Sequence, residues 1–184
     1  MKYWTRFIRK IKFIWVKGHA SNEFNNEATD VYANVTFESF DLTLPFNNYK
    51  ILDSRTEEIA DELIKEADLI LLCGGHVPTQ NNFFNNIDLK NKIKNTEALI
   101  IGGSAGAINM AESVYCIPEL EGESTDPNFS RNLIGLGLTN INILPHYDIF
   151  KEFILDNKKF IDEIILPDTY ERTIYALNNG SYIL

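Results

Sequence analysis

Two short apolar runs constrain the fold most: "DLILLC" (68–73), which stops at Gly74-Gly75, and "ALIIG" (98–102), which stops at Gly102-Gly103. They are apolar at consecutive positions rather than alternate ones, the pattern of strands buried on both faces. Such strands need helices on both sides, so amphipathic stretches should separate them. Residues 26–40 place Ala28, Val31, Tyr32, Val35 and Phe40 near helical spacing. Ser54-Arg55-Thr56-Glu57 has the form of a capping box, and Ile59, Ala60, Leu63 and Ile64 after it share one helical face. Helices are also predicted over 88–96, 105–114 and 148–164. "KIKFIWV" (10–16), "YKIL" (49–52) and "INIL" (141–144) read as strands. "TIYAL" and "SYIL" flank Asn178-Asn179-Gly180, the signal of a late β-hairpin.

Strands alternating with helices imply βαβ units. The fold expected is three-layer α/β with a mostly parallel sheet, of the flavodoxin-like type. Ligands of such sheets bind beyond the carboxyl ends of the strands. The loops after Cys73, Gly102 and Leu144 are therefore expected on one edge.

The 184 residues contain no internal repeat and no linker, so one domain over 1–184 is expected. Hydrophobic residues make up 45%, enough for a sizeable core. A net charge of -9 argues against nucleic acid or an anionic membrane as partner. The basic start of the chain superficially resembles a signal peptide, but its apolar run at 13–16 is flanked by lysines and too short. No stretch reaches the roughly 18 apolar residues of a membrane span. Cys73 and Cys116 fit neither a disulfide scaffold nor a zinc site, so both are expected reduced in a cytoplasmic protein. No metal or cofactor is expected.

Gly102-Gly103-Ser104-Ala105-Gly106 fits G-x-S-x-G, the nucleophile elbow. The turn from strand to helix is tight enough to strain the serine backbone, so its neighbours must be small. The serine hydroxyl then stands above the sheet. The Ala105 N–H lies at a helix start, where it can donate to a developing oxyanion. Read alone, the pentapeptide fits equally well an ordinary turn with Ser104 as N-cap. A phosphate-binding loop fits worse, because no lysine follows the glycines.

A serine nucleophile needs a base. Of the three histidines, His19 lies in a polar segment, whereas His76 and His146 each follow a predicted strand and each could face Ser104. Gly74-Gly75 would let the backbone approach a ligand, with the Gly75 or His76 N–H as second oxyanion donor. Cys73 and Cys116 read as small buried hydrophobes.

"CGGHVPTQNNFF", "IIGGSAGAINM" and "GLGLTNINILPHYD", in this order, resemble the serine peptidase family of aspartyl dipeptidase (peptidase E) and cyanophycinase, whose fold is similar to class I glutamine amidotransferases. The resemblance runs from about residue 10 to the end. It implies Ser104 as nucleophile, His146 as base, and Gly75 and Ala105 as the oxyanion hole. Amidotransferases carry cysteine at the elbow, so serine here argues against glutamine hydrolysis. The family's acidic partner of the histidine falls at Asn179, which implies a Ser-His-Asn arrangement, slowed catalysis, and a gain from Asn179→Asp. Asp148 and Glu171 are the nearby carboxylates that could serve instead. Relative to the family, the chain is expected to be shortened at both ends.

The function expected is hydrolysis of small peptides, including Asp-containing ones. Arg131 and Arg172 are the candidate contacts for an acidic group. The alternatives are a catalytically weak or silent relative that binds a small ligand or partner, and, last, a nucleotide binder. The oligomeric state stays open, with a homodimer as the candidate assembly.

Overall fold

The computed structural model describes residues 12–16, 27–42 and 48–184; His19 and the part of the signal-like start before Lys12 lie outside them. Strands β1 (Lys12–Val16), β2 (Asn48–Leu52), β3 (Leu69–Leu72) and β4 (Leu99–Gly102) form a parallel sheet in the order β2-β1-β3-β4. In register, Leu72 pairs with Gly102. The two glycine-ended strands therefore finish level, and their loops emerge side by side.

Period-two geometry sorts the apolar run 69–73 onto two faces. Ile70 and Leu72 pack with Leu63 and Ile64 of α2 (Ala60–Glu66), Phe83 and Phe84 of α3 (Val77–Asn86), and Leu89 and Ile93 of α4 (Leu89–Ile93). Leu69, Leu71 and Cys73 pack on the opposite side with Ala33 and Phe37 of α1 (Glu27–Asp41). Helices thus cover both faces, the three-layer arrangement expected.

After β4 comes α5 (Ala105–Asn109), then β5 (Ser113–Tyr115) paired antiparallel with β6 (Asn132–Ile134). Next are β7 (Asn142–Leu144), α6 (Tyr147–Phe150) and the pair β8 (Ile154–Leu155) and β9 (Lys158–Lys159). A π-helical segment, Phe160–Ile165, runs into α7 (Leu166–Asp168), and β10 (Ile174–Ala176) closes beside β7. This half has its own core, which includes Ala105 and Ile108 of α5, Leu144 of β7, and Phe160 and Ile164. No described helix is long and apolar enough to cross a membrane.

Several expectations are corrected. The late β-hairpin is absent: β10 pairs in parallel with β7, and residues 177–184 contain no strand. The turn is present, with the Ser181 N–H donating to Asn178 O at 3.0 Å. Only Gly180 takes a positive φ (82°), whereas a type I′ turn needs it at both central residues. The helix expected over 148–164 is broken. Asp156 and Asn157 both adopt the left-handed region (φ 51° and 61°) and turn the chain into the two-residue hairpin β8–β9. The helix after Ser104 stops at Asn109 instead of 114. The capping box does not form; a 3₁₀ turn, Glu57–Ile59, with Thr56 at its N-cap opens the helix.

Candidate active site

Ser104 lies just past the end of β4 with φ 50° and ψ −119°, a region that non-glycine residues adopt only under strain. The flanking glycines are sterically required. A Cβ on Gly102 would lie 2.6 Å from Ala107 Cα, and one on Gly106 2.1 Å from the Leu72 carbonyl oxygen. These contacts distinguish the elbow from an ordinary N-capped turn, and Ser104 makes no side-chain cap hydrogen bond to α5.

His146 is the histidine that reaches Ser104. Its Nε2 lies 3.0 Å from Ser104 Oγ, across 42 residues of sequence. It too sits in the left-handed region (φ 58°, ψ 31°), at the junction of β7 and α6. The ring packs edge-on to Phe150. On its other side Nδ1 lies 2.6 Å from Asn179 Oδ1. Asn179 is held in turn by Asp148, whose Oδ1 accepts the Asn179 backbone N–H at 3.0 Å and whose Oδ2 accepts the side-chain amide at 3.2 Å. Asp148 is therefore not against the ring but one residue behind it. Glu171 is exposed and makes no contact with this group among the described residues.

His76 faces away. Its Nδ1 pairs with Thr79 Oγ1 and its Nε2 with Glu123 Oε1, both at 2.8 Å. The other Glu123 oxygen accepts the Glu119 and Leu120 N–H groups, so His76 anchors the 119–123 loop over the start of α3.

The Gly74-Gly75 segment lies against the serine: a Cβ on Gly74 would be 3.2 Å from Ser104 Cβ. Gly75 has φ 149°, open to glycine and rare for other residues. Among the described residues, neither the Gly75 nor the Ala105 N–H donates to a backbone acceptor.

A buried amide network, not expected from the sequence, fixes this loop. Gln80 Nε2 donates to Cys73 O at 2.6 Å. Asn109 Nδ2 donates to Gln80 Oε1 (3.0 Å) and to Val77 O (3.2 Å), and its Oδ1 accepts from Asn81 Nδ2 (3.0 Å). Helices α3 and α5 are thus tied together below Ser104. The only sequence signal for it was polar residues in a stretch rich in buried neighbours.

The surrounding charge is structural. Arg131 pairs with Asp168 at 2.7 Å and donates to Glu123 O and Ser124 O, while Arg172 donates to Asn132 Oδ1. Neither contacts Ser104 or His146 among the described residues. Burial pushes Glu119 up to about 7; the Val77 N–H pulls against this and the Glu123 charge adds to it. Burial first, then Glu123 and Glu119, raises the Cys116 thiol to about 12, which makes it a poor nucleophile. Both cysteines are buried thiols.

The fold agrees with what the chain is similar to. A candidate peptidase E protein from Listeria monocytogenes EGD-e matches over 95% of this chain and 84% of its own, with 21% identity and a TM-score of 0.64. A peptidase from an acI-B1 Actinobacterium matches over 91% of this chain and 66% of its own, with 18% identity and a TM-score of 0.62. No curated protein matches the chain. The model of peptidase family S51 matches residues 20–184. The chain therefore belongs to peptidase family S51 and, with it, to the serine-type peptidases.

Proposed function

We propose that the chain hydrolyses small peptides with Ser104 as nucleophile and His146 as base. The observation that carries this reading is the 3.0 Å approach of His146 Nε2 to the hydroxyl of a serine held at φ 50°. Asn179 Oδ1 accepts the Nδ1–H, which leaves Nε2 free to take the serine proton. Ser104 Oγ attacks the amide carbonyl, and the oxyanion is received by the Gly75 and Ala105 N–H groups. His146 passes its proton to the leaving amine, and water, deprotonated by the same ring, releases the acyl group. Hydroxyl, ring and amide are joined by consecutive hydrogen bonds, so the serine proton passes directly to Nε2 while Asn179 holds the ring and takes no proton.

Peptides with an N-terminal aspartyl group are the proposed substrates, after the peptidase E relative. Arg131 and Arg172 are already engaged by protein partners, so an acidic substrate group would have to compete for them. The domain is proposed to act in the cytoplasm. The test is reaction with a serine-directed phosphonate, followed by peptide mapping. Labelling of Ser104, lost in Ser104→Ala and His146→Ala, is the expected result. A folded protein that takes no label and cleaves no aspartyl dipeptide would leave the silent relative that Asn179 otherwise suggests.

A further inference from the structure

An amide stands where a carboxylate would serve a histidine base, and the carboxylate is one residue further back. The Asn179 amide has two unlike ends: Oδ1 only accepts and Nδ2 only donates. Turned with Oδ1 to the ring, it accepts from Nδ1–H and leaves Nε2 basic. Turned the other way, it donates to Nδ1 and drives the ring proton onto Nε2, where it blocks transfer from Ser104. The shape of an amide does not choose between the two.

Asp148 does. Its carboxylate can only accept, and it lies 3.2 Å from Nδ2 and 3.0 Å from the backbone N–H of the same residue. Only the N–H₂ end of Asn179 can face it, which turns Oδ1 toward His146 at 2.6 Å. The arrangement is local to two segments. Asp148 is on the first turn of α6, which His146 caps, and the Tyr147 N–H donates to Leu177 O at 3.0 Å, clamping that turn to the chain before Asn179. We propose that Asp148 is the positioning residue that sets the Asn179 amide and, through it, the His146 tautomer. The proton path is then backed by Ser104–His146–Asn179–Asp148. The role rests on the serine-peptidase reading above.

This changes which substitution restores a carboxylate to the base. Asn179→Asp alone would set two carboxylates across the gap now bridged by an N–H, where like charges repel and the pair holds a shared proton. The matched exchange, Asp148→Asn with Asn179→Asp, reverses donor and acceptor and keeps every bond. The amide introduced at position 148 would donate from its nitrogen to the new carboxylate, and its oxygen would accept the backbone N–H of position 179.

The test compares the full chain, Asp148→Asn, Asn179→Asp and the double exchange, by ¹⁵N NMR of the His146 ring and by hydrolysis of p-nitrophenyl acetate. The parent chain should show a single Nδ1–H tautomer. Asp148→Asn should mix the tautomers and lower the rate by about tenfold or more, a part of the roughly 10⁴ lost when the acidic residue of a serine protease becomes its amide. Asn179→Asp alone should not exceed the parent, and the double exchange should exceed Asn179→Asp by about tenfold or more. An unchanged tautomer in Asp148→Asn, or equal rates for the single and double exchanges, would overturn the role of Asp148. The tautomer is also read in Ser104→Ala. Hydrolysis surviving in Ser104→Ala would sink the serine-peptidase reading, while the ring signal would still decide the role of Asp148.

Discussion

The carbonyl oxygen of Leu72 fills the place where a side chain on Gly106 would begin. It accepts the Gly103 N–H at 2.8 Å and would lie 2.1 Å from a Cβ on Gly106. One oxygen at the end of β3 thus holds both sides of the Ser104 turn. Because the obstacle is backbone, it cannot swing aside. Gly106→Ala should cost about 3 kcal/mol or more in urea unfolding. Gly122→Ala is the control: φ is +91° but the space is open, so the cost should stay near ~1 kcal/mol. Equal costs at the two positions would refute the steric account.

The strain at Ser104 is separable from its chemistry. Ser104→Ala and Ser104→Gly both lack the hydroxyl, but only glycine relaxes at φ 50° and ψ −119°. Ser104→Gly should be more stable than Ser104→Ala by about 1–2 kcal/mol, at roughly 2–4 °C of melting temperature per kcal/mol for a chain of this size. Both should lose the peptidase activity. Calorimetry with matching midpoints for the two variants would show that the backbone carries no strain there.

The two strand-end histidines should differ sharply. His146→Ala should lower kcat/KM by about 10³ or more. His76→Ala removes the link to Glu123 and loosens the 119–123 loop, with a loss of about tenfold or less. A larger loss at His76 than at His146 would reverse the assignment of the base.

Glu119 makes stability depend on pH. Its ordinary value of 4.5 is raised to about 7 in the folded chain, chiefly by burial. The native state therefore binds more protons than the unfolded state between those values. This contribution is fully present below about 4.5 and is lost as pH rises through about 7. Glu119→Gln should flatten this part of the profile and be more stable than the parent above pH ~8, by an amount on the order of 2 kcal/mol. Urea midpoints across pH would check it; parallel profiles for the two proteins would place the titration elsewhere.

The site was legible where chemistry and sterics act over a few residues. Gly102, Ser104 and Gly106 state their own backbone requirements, and the pattern around His146 placed it after a strand. Segments governed by distant partners were not legible. Helix α3 carries Pro78 and four asparagines in ten residues, a poor helical composition, and is held by the Asn109 and Gln80 amides that come together only in the fold. Asn179-Gly180 looks like a hairpin turn and is not one, because Asn179 is committed to His146 and Asp148. Asp156-Asn157 lacks glycine and does turn a hairpin. Asp156 is meanwhile recruited by Ser124 and the Gly122 N–H, which hold it below the usual carboxylate range.

The partners of His146 lie 42 residues before it and 33 after it. The turn at Ser104 hangs on the β3–β4 pair, whereas the base and its support hang on β7 and β10, a pair in a separate sheet, so both pairings must be in place before the three residues meet. On the roles proposed above, a chain with only the β3–β4 pair in place would display its nucleophile with nothing to deprotonate it, and one with only the β7–β10 pair would hold a base with no nucleophile beside it. Competence to cut peptide bonds would then arrive together with the finished fold, and a molecule still exposing its own loose segments would be chemically idle toward them.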